Sequence, residues 1–132
     1  MRAILDSGPL IALWNGEQQH RSWIEQLFQR FTGPYYLTEP VLTEVARLTG
    51  RDKLIVEGLK SGKFLVPETM LDQLDDIGRS LEEFPHCDLA DASVIALSER
   101  YRRVTVLSID RRHFTTYRRR DGSALPMILP EA

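Results

Sequence analysis

The sequence predicts an α/β fold: a central parallel sheet of four to five strands with helices on both faces. Three observations carry this. Short apolar runs of strand length recur at Ala3–Leu5, Tyr35–Leu37, Phe64–Val66 and Val104–Ile109, with a fifth candidate at Met127–Leu129. Between them lie segments whose apolar residues repeat every three or four positions, the helical period. Turn formers such as Asp6-Ser-Gly-Pro9, Gly33-Pro34, Gly50 and Gly62 mark the boundaries. Right-handed crossovers then bring every strand C-terminus to one edge, where open α/β sheets carry their ligand sites.

Each element has a local reason. Ala3-Ile-Leu5 reads as a buried strand leaving into a turn, and Pro9 suits the first turn of a helix carrying Leu10, Ile11 and Leu13. Trp23, Ile24, Leu27, Phe28 and Phe31 give the next helix its apolar stripe, which Gly33-Pro34 stops. After the Tyr35 strand, Thr38-Glu39-Pro40 opens a helix over Val41 to Thr49, closed by Gly50. Lys53 to Lys60 forms a short helix before the Phe64 strand, and helix follows from about Thr69 to Leu81. Pro85 breaks the chain ahead of a helix from about Asp88 to Tyr101. No internal repeat or linker interrupts the series.

Length and composition bound the function classes. At 132 residues, 42% hydrophobic and 27% charged, the chain suits one domain over 1–132 with its own core. Its apolar runs are too short to span a bilayer, and no basic-plus-apolar leader precedes Asp6, so the N-terminus reads as part of the fold. The lone Cys87 rules out an internal disulfide and a cysteine-based zinc site, and points to a reducing cytoplasm. Cys87 itself reads as a small buried residue. The net charge of −2 conceals an asymmetry. Residues 100–120 hold eight arginines against one acid, Asp110, leaving the rest strongly acidic. Such a split suggests a polyanion-binding side beside an acidic one.

The acids are the informative residues. Asp6 and Asp110 stand where the first and fourth strands end. Glu44 lies early in the helix after the second strand, at the margin of the apolar arc of Val41, Val45 and Leu48. Asp91 belongs to Leu89-Ala-Asp-Ala-Ser-Val-Ile-Ala-Leu97, apolar on almost every side and therefore buried. A carboxylate there needs a partner, and the helix N-terminus supplies only part of one. Oxygen-only ligands from four segments suit Mg²⁺ or Mn²⁺. Each acid also has a plainer role: an Asx-turn at Asp6, an ion pair of Glu44 with Arg47, a dipole-favoured first-turn acid at Asp91, a cap at Asp110. Joint placement at strand ends favours a shared site, with Asp88 kept as a helix cap.

Four segments carry a family resemblance. Ile4-Leu-Asp-Ser-Gly-Pro-Leu-Ile-Ala12, Glu39-Pro-Val-Leu-Thr-Glu44, Asp88-Leu-Ala-Asp-Ala92 and Leu107-Ser-Ile-Asp110 resemble, in order, the acidic motifs of PIN domains, above all VapC-type ribonuclease toxins. The resemblance covers nearly the whole chain. It implies a PIN-like three-layer α/β/α sandwich and an endoribonuclease that hydrolyses RNA phosphodiesters with a metal-activated water. It implies Mg²⁺ or Mn²⁺ held by Asp6, Glu44, Asp91 and Asp110, with Ser7, Ser108 and Asp88 in support. It further implies a cytoplasmic homodimer inhibited by a cognate VapB-type antitoxin. Residues 51–83 match no motif of the family.

Beside an acidic metal site, Arg111, Arg112, Arg118, Arg119 and Arg120 are candidates for RNA phosphates, since arginine binds phosphate bidentately. The competing roles are a solvated face or a dock for an acidic antitoxin segment. His20, His86 and His113 lack metal-ligand spacing, and only His113, near Asp110, is placed to face a substrate. Trp14, Trp23 and Phe28 fall at helical spacing, as core or as a dimer face. Two rival functions stand beside the nuclease. One is a PIN-like RNA-binding or scaffold module without turnover. The other is a response-regulator-type phosphoryl switch, which would want paired early acids and a late lysine that this chain lacks.

Overall fold

The structure, a computed structural model, describes residues 2–16 and 18–130. In chain order its elements are β1 (Ala3–Leu5), α1 (Ser7–Asn15), α2 (Gln18–Arg30), β2 (Tyr35–Tyr36), α3 (Glu39–Thr49) and α4 (Asp52–Ser61). They continue as β3 (Phe64–Leu65), a 3-10 turn (Leu71–Gln73), α5 (Leu74–Glu83), α6 (Leu89–Arg100), β4 (Thr105–Leu107), α7 (Arg111–Phe114) and β5 (Met127–Ile128). The five strands form one parallel sheet in the order β3-β2-β1-β4-β5. This is the α/β class expected from the alternation, compatible with a three-layer α/β/α sandwich, and Met127–Ile128 does join the sheet.

Sheet order fixes where a site can form. β1 is central: Ala3, Ile4 and Leu5 face Thr105, Val106 and Leu107 on one side, and Ala3 and Ile4 face Tyr35 and Tyr36 on the other. All three β1 residues are fully buried, as a parallel strand covered on both faces requires. From β1 the chain winds outward through β2 to β3, then returns to build β4 and β5 on the opposite flank. The reversal point is the gap between the C-terminal ends of β1 and β4, the position at which such sheets bind ligands. The backbone N–H of Asp6 donates to the Leu107 carbonyl at 3.0 Å, carrying the ladder one step into that gap.

Two helices position the site. In α3, Thr38 caps the N-terminus by accepting from the Val41 N–H at 3.3 Å, and Gly50 ends the helix at φ 67°. That left-handed conformation is why a glycine closes this helix. In α6, every residue from Ala92 to Ser98 is buried, and the helix packs against α5, α3 and β1. The polar groups that this buries are paired. Ser93 donates to the Ala90 carbonyl at 2.6 Å and takes the Thr38 hydroxyl at 2.7 Å, linking α6 to the start of α3.

The helix expected from Thr69 to Leu81 divides. Thr69 gives its N–H and hydroxyl to the Asp72 carboxylate at 3.1 and 2.9 Å, and Asp72 returns its N–H to the Thr69 hydroxyl at 3.2 Å. This reciprocal clasp makes a tight first turn. Gln73 then breaks the helical path at φ −102° and ψ 0°, anchored by its amide to the Ser93 carbonyl at 3.2 Å. The fourth strand, Thr105–Leu107, is also shorter than its apolar run. Trp14, Trp23 and Phe28 are partly buried against the core. Among the described residues no helix is long and apolar enough to cross a membrane.

Candidate metal centre

Asp6 follows β1 at the N-cap position of α1, yet its carboxylate caps nothing. It turns across the gap, where the Ser108 hydroxyl donates to Asp6 Oδ2 at 2.8 Å. The same Ser108 oxygen accepts the Asp110 N–H at 3.0 Å, so one hydroxyl ties the ends of β1 and β4 together. Ser7, next along the chain, donates its hydroxyl to Glu44 Oε1 on α3. The alternative partner for Glu44 does not engage it: among the described residues no ion pair joins it to Arg47.

Asp91 enters from α6. Its N–H is capped by Asp88 Oδ1 at 2.8 Å, so Asp88 is a helix cap, and its own Oδ2 accepts the Tyr117 hydroxyl at 2.7 Å. Asp110 caps α7, taking the His113 N–H at 3.1 Å on Oδ1, while Oδ2 lies 3.2 Å from His113 Nδ1. The cap role considered for Asp110 is thus real and occupies one face of its carboxylate.

Burial and mutual repulsion shape the charges. Asp6, 4% exposed, is pushed up to about 7, chiefly by burial, with the Asp91 and Glu44 charges adding and the Ser108 hydroxyl opposing. Asp91 is pushed up to about 6 by burial, with Asp88, Asp110 and Glu44 adding and Tyr117 opposing. Asp91 therefore lies within electrostatic reach of Asp6, Glu44 and Asp110. Among the described residues, no lysine or arginine pairs with Asp6, Glu44, Asp91 or Asp110.

They do not close on a common point. Among the described residues no three His, Cys, Asp or Glu side chains are gathered tightly enough to hold an ion as they stand. The reason is visible in the bonding. Each acid is bonded to a different partner: Asp6 to Ser108, Glu44 to Ser7, Asp91 to Tyr117, Asp110 to His113. The donor chemistry still fits a hard divalent cation, being oxygen only, negatively charged, uncompensated by lysine or arginine, and partly desolvated.

A raised carboxylate has a definite signature in pH. Folded protein with Asp6 near 7 and Asp91 near 6 binds more protons than the unfolded chain above about pH 4. The stability these two groups contribute is therefore greatest below that value and is lost as pH rises toward 7. In EDTA, the melting temperature is expected to drop between pH 4.5 and 7.5. The drop should be shallower in Asp6→Asn, as calorimetry across that range would read.

The arginine tract separates into two parts. Arg111 and Arg112 are exposed beside Asp110, with Arg111 also donating to the Pro130 carbonyl at 2.6 Å. The triplet is built into the fold. Arg118 braces the Thr115 and Tyr117 carbonyls at 2.9 and 2.7 Å. Arg119 is buried, donating to Ser98 Oγ at 3.0 Å and to the Arg102 carbonyl at 2.6 Å. Arg120 reaches Asp76 Oδ1 at 2.5 Å. The phosphate role expected of Arg119 is corrected by this burial, since a guanidinium enclosed within the fold has too little surface to meet an RNA phosphate.

Two features had no signal in the sequence. Tyr117 reaches Asp91 from a basic stretch whose only hint is the Phe114-to-Tyr117 spacing. His86 and His113, far apart in the chain, meet with ring centroids 5.6 Å apart. The Cys87 thiol is buried and pushed up to about 12, first by burial and then by Asp91, which removes it as a nucleophile near neutral pH. Beside Glu44 and Asp88 opens a cavity of about 450 Å³, floored by Pro40, Met70, Leu89 and Ala90. Compared with known protein families and with curated proteins, the chain matches none.

Proposed function

We propose that the chain is a Mg²⁺- or Mn²⁺-dependent endoribonuclease, similar in design to the VapC-type toxins that its four acidic motifs resemble. The observation that carries this reading is the pair Asp6 and Asp91. Two desolvated carboxylates without a lysine or arginine partner face the reversal point of a parallel sheet, an arrangement costly to folding and hence one that calls for a cation.

In this reading Asp6, Glu44 and Asp91 would hold the ion from three walls, and Asp110 from the mouth. A bound divalent cation supplies neutralisation of phosphoryl charge and activation of a water. The chain's own groups do the rest. Ser108 and Ser7 orient the Asp6 and Glu44 carboxylates by donating to them, and Arg111 and Arg112 offer exposed guanidiniums to phosphates flanking the cut. By the same resemblance the protein acts as the toxin of a pair, as a homodimer in the cytoplasm, restrained by a VapB-type antitoxin.

The testing experiment is cleavage of a panel of structured RNAs with Mn²⁺ and with EDTA, followed by end-labelling of the products. Metal-dependent hydrolysis leaves 5′-phosphate and 3′-hydroxyl ends. A second reading is favoured by the His86–His113 contact, because two histidines can drive attack by the 2′-hydroxyl and leave cyclic 2′,3′-phosphate. That chemistry needs one imidazole on each side of the phosphate. Here the two rings pack against each other, so the metal reading stands first. Cyclic ends, or full activity in EDTA, would reverse the order. Binding without any cleavage would point to the RNA-binding module.

The tract makes its own prediction. Replacing Arg111 and Arg112 by alanine should reduce the slope of log affinity against log salt by roughly 0.7 per lost phosphate contact on single-stranded RNA. Filter binding across a salt series reads this, and an unchanged slope would assign both residues to a merely solvated face.

A further inference from the structure

We infer that the cavity beside Glu44 is a nucleobase subsite that selects guanine next to the cut, an inference that rests on the nuclease reading above. The cavity, about 450 Å³, is lined by the first turns of α3, by Met70 and by the start of α6. That volume falls within the roughly 300–1,000 Å³ of small-molecule pockets. Pro40, Met70, Leu89 and Ala90 make its lining apolar, and Leu89 is left 41% exposed. Such a surface takes the face of an unstacked base, the part of single-stranded RNA that proteins read by stacking and by its hydrogen-bonding edge. Glu44 is part of the same lining, so a base held there hangs from a nucleotide adjoining the site.

The rim decides which base. Met70 donates its N–H to Glu39 Oε1 at 2.6 Å, and Asp91 donates its N–H to Asp88 Oδ1 at 2.8 Å. Each bond orients a carboxylate and leaves its second oxygen, Glu39 Oε2 or Asp88 Oδ2, without a protein partner among the described residues. An ionised carboxylate accepts at about four lone-pair sites and donates at none. Guanine offers it the most, with N1–H and a 2-amino N–H side by side on one edge. Uracil, cytosine and adenine each present a single donor group there. The negative rim also tells base from backbone, because it repels a phosphate but not a neutral ring. Arg47, exposed and one turn after Glu44, lines the cavity and enters no ion pair among the described residues. Its guanidinium is left for a phosphate of the strand that carries the base.

The test is filter binding of uridine hexanucleotides in which one position is guanosine, inosine, adenosine or uridine, in EDTA and in Mn²⁺. The parent protein is expected to bind the guanosine strand at least about fivefold more tightly than the all-uridine strand, the least that a bidentate contact to a base commonly gives. Inosine lacks the 2-amino group and should fall between. Glu39→Gln keeps the length and still accepts from Met70, but it sets an amide donor against the donors of guanine. The guanosine advantage should then fall below about twofold. Glu82→Gln removes the same charge on an exposed face of α5, so it should strengthen all strands alike and keep the advantage. A variant that merely misfolds loses all strands alike, not their ratio. Equal binding of the four strands by the parent protein, or a guanosine advantage that survives in Glu39→Gln, would overturn the inference and leave the cavity to another occupant, such as an apolar peptide side chain. No binding of any strand, in EDTA or in Mn²⁺, would overturn the nuclease reading itself, and with it the inference.

Discussion

Asp6→Asn is expected to melt at a higher temperature than the parent protein in EDTA at pH 7.5, and to lose cleavage by at least about 10²–10³-fold in Mn²⁺. Both changes follow from one carboxylate. Ionised Asp6 is held at 4% exposure with the Asp91 and Glu44 charges in reach, and the Ser108 hydroxyl and Ser7 backbone only partly offset its burial. Asparagine keeps the shape and still accepts from Ser108, but it carries no charge to desolvate. A group raised from its usual range to about 7 costs folding on the order of a few kcal/mol at neutral pH. Relieving part of that cost should raise Tm by roughly 4–10 °C in a chain of this length. The gain in stability and the loss of activity are expected together. A variant that is less stable than the parent in EDTA would show that Asp6 serves the fold rather than the site.

The second large effect is expected at Gly8, two residues further on. A Cβ built there stands 2.4 Å from Cγ1 and 3.0 Å from Cδ1 of Ile109, with Ile109 lying between Ser108 and Asp110. The start of α1 thus packs directly on the loop that carries two site residues. Ile109 is β-branched and cannot swing clear by moving a flexible tip. Gly8→Ala should therefore destabilise the protein by about 1–3 kcal/mol through overpacking, partly offset by roughly 1 kcal/mol of helix propensity. Displacing Ile109 also separates Ser108 from Asp6, so cleavage should fall further than the melting temperature alone explains. A urea melt beside an activity assay checks this, and unchanged values for both would mean that the contact is slack.

Much of the architecture was legible because its signals are local. Ala3-Ile-Leu5 is a buried central strand and reads as one, and α6 is buried along almost its whole length as its apolar sequence demands. Strand alternation also pointed to the sheet edge at which Asp6 and Asp110 follow β1 and β4. What escaped is contact between distant segments. Gly8 reads as a turn former beside Pro9, whereas its structural reason is Ile109, about a hundred residues away in sequence. Arg119 reads as one more member of a basic run, while burial against Ser98 removes it from the surface. Tyr117 and the His86–His113 contact are pairings that no spacing along the chain encodes. The division of the Thr69 helix is intermediate: the Thr69-x-x-Asp72 clasp is present in the sequence, but the break at Gln73 depends on its bond to Ser93 of α6.

The central claim is that Asp6, Glu44, Asp91 and Asp110 make one divalent-cation site. Its most direct test is a Mn²⁺ titration followed by electron paramagnetic resonance, comparing the parent protein with Asp91→Asn, which retains the helix-terminal geometry while removing a charge and a ligand. Saturable Mn²⁺ binding by the parent, displaced by excess Mg²⁺ and weakened at least about tenfold in Asp91→Asn, is the predicted result. Parent protein without saturable binding, or an asparagine variant that binds Mn²⁺ as tightly as the parent, would contradict it.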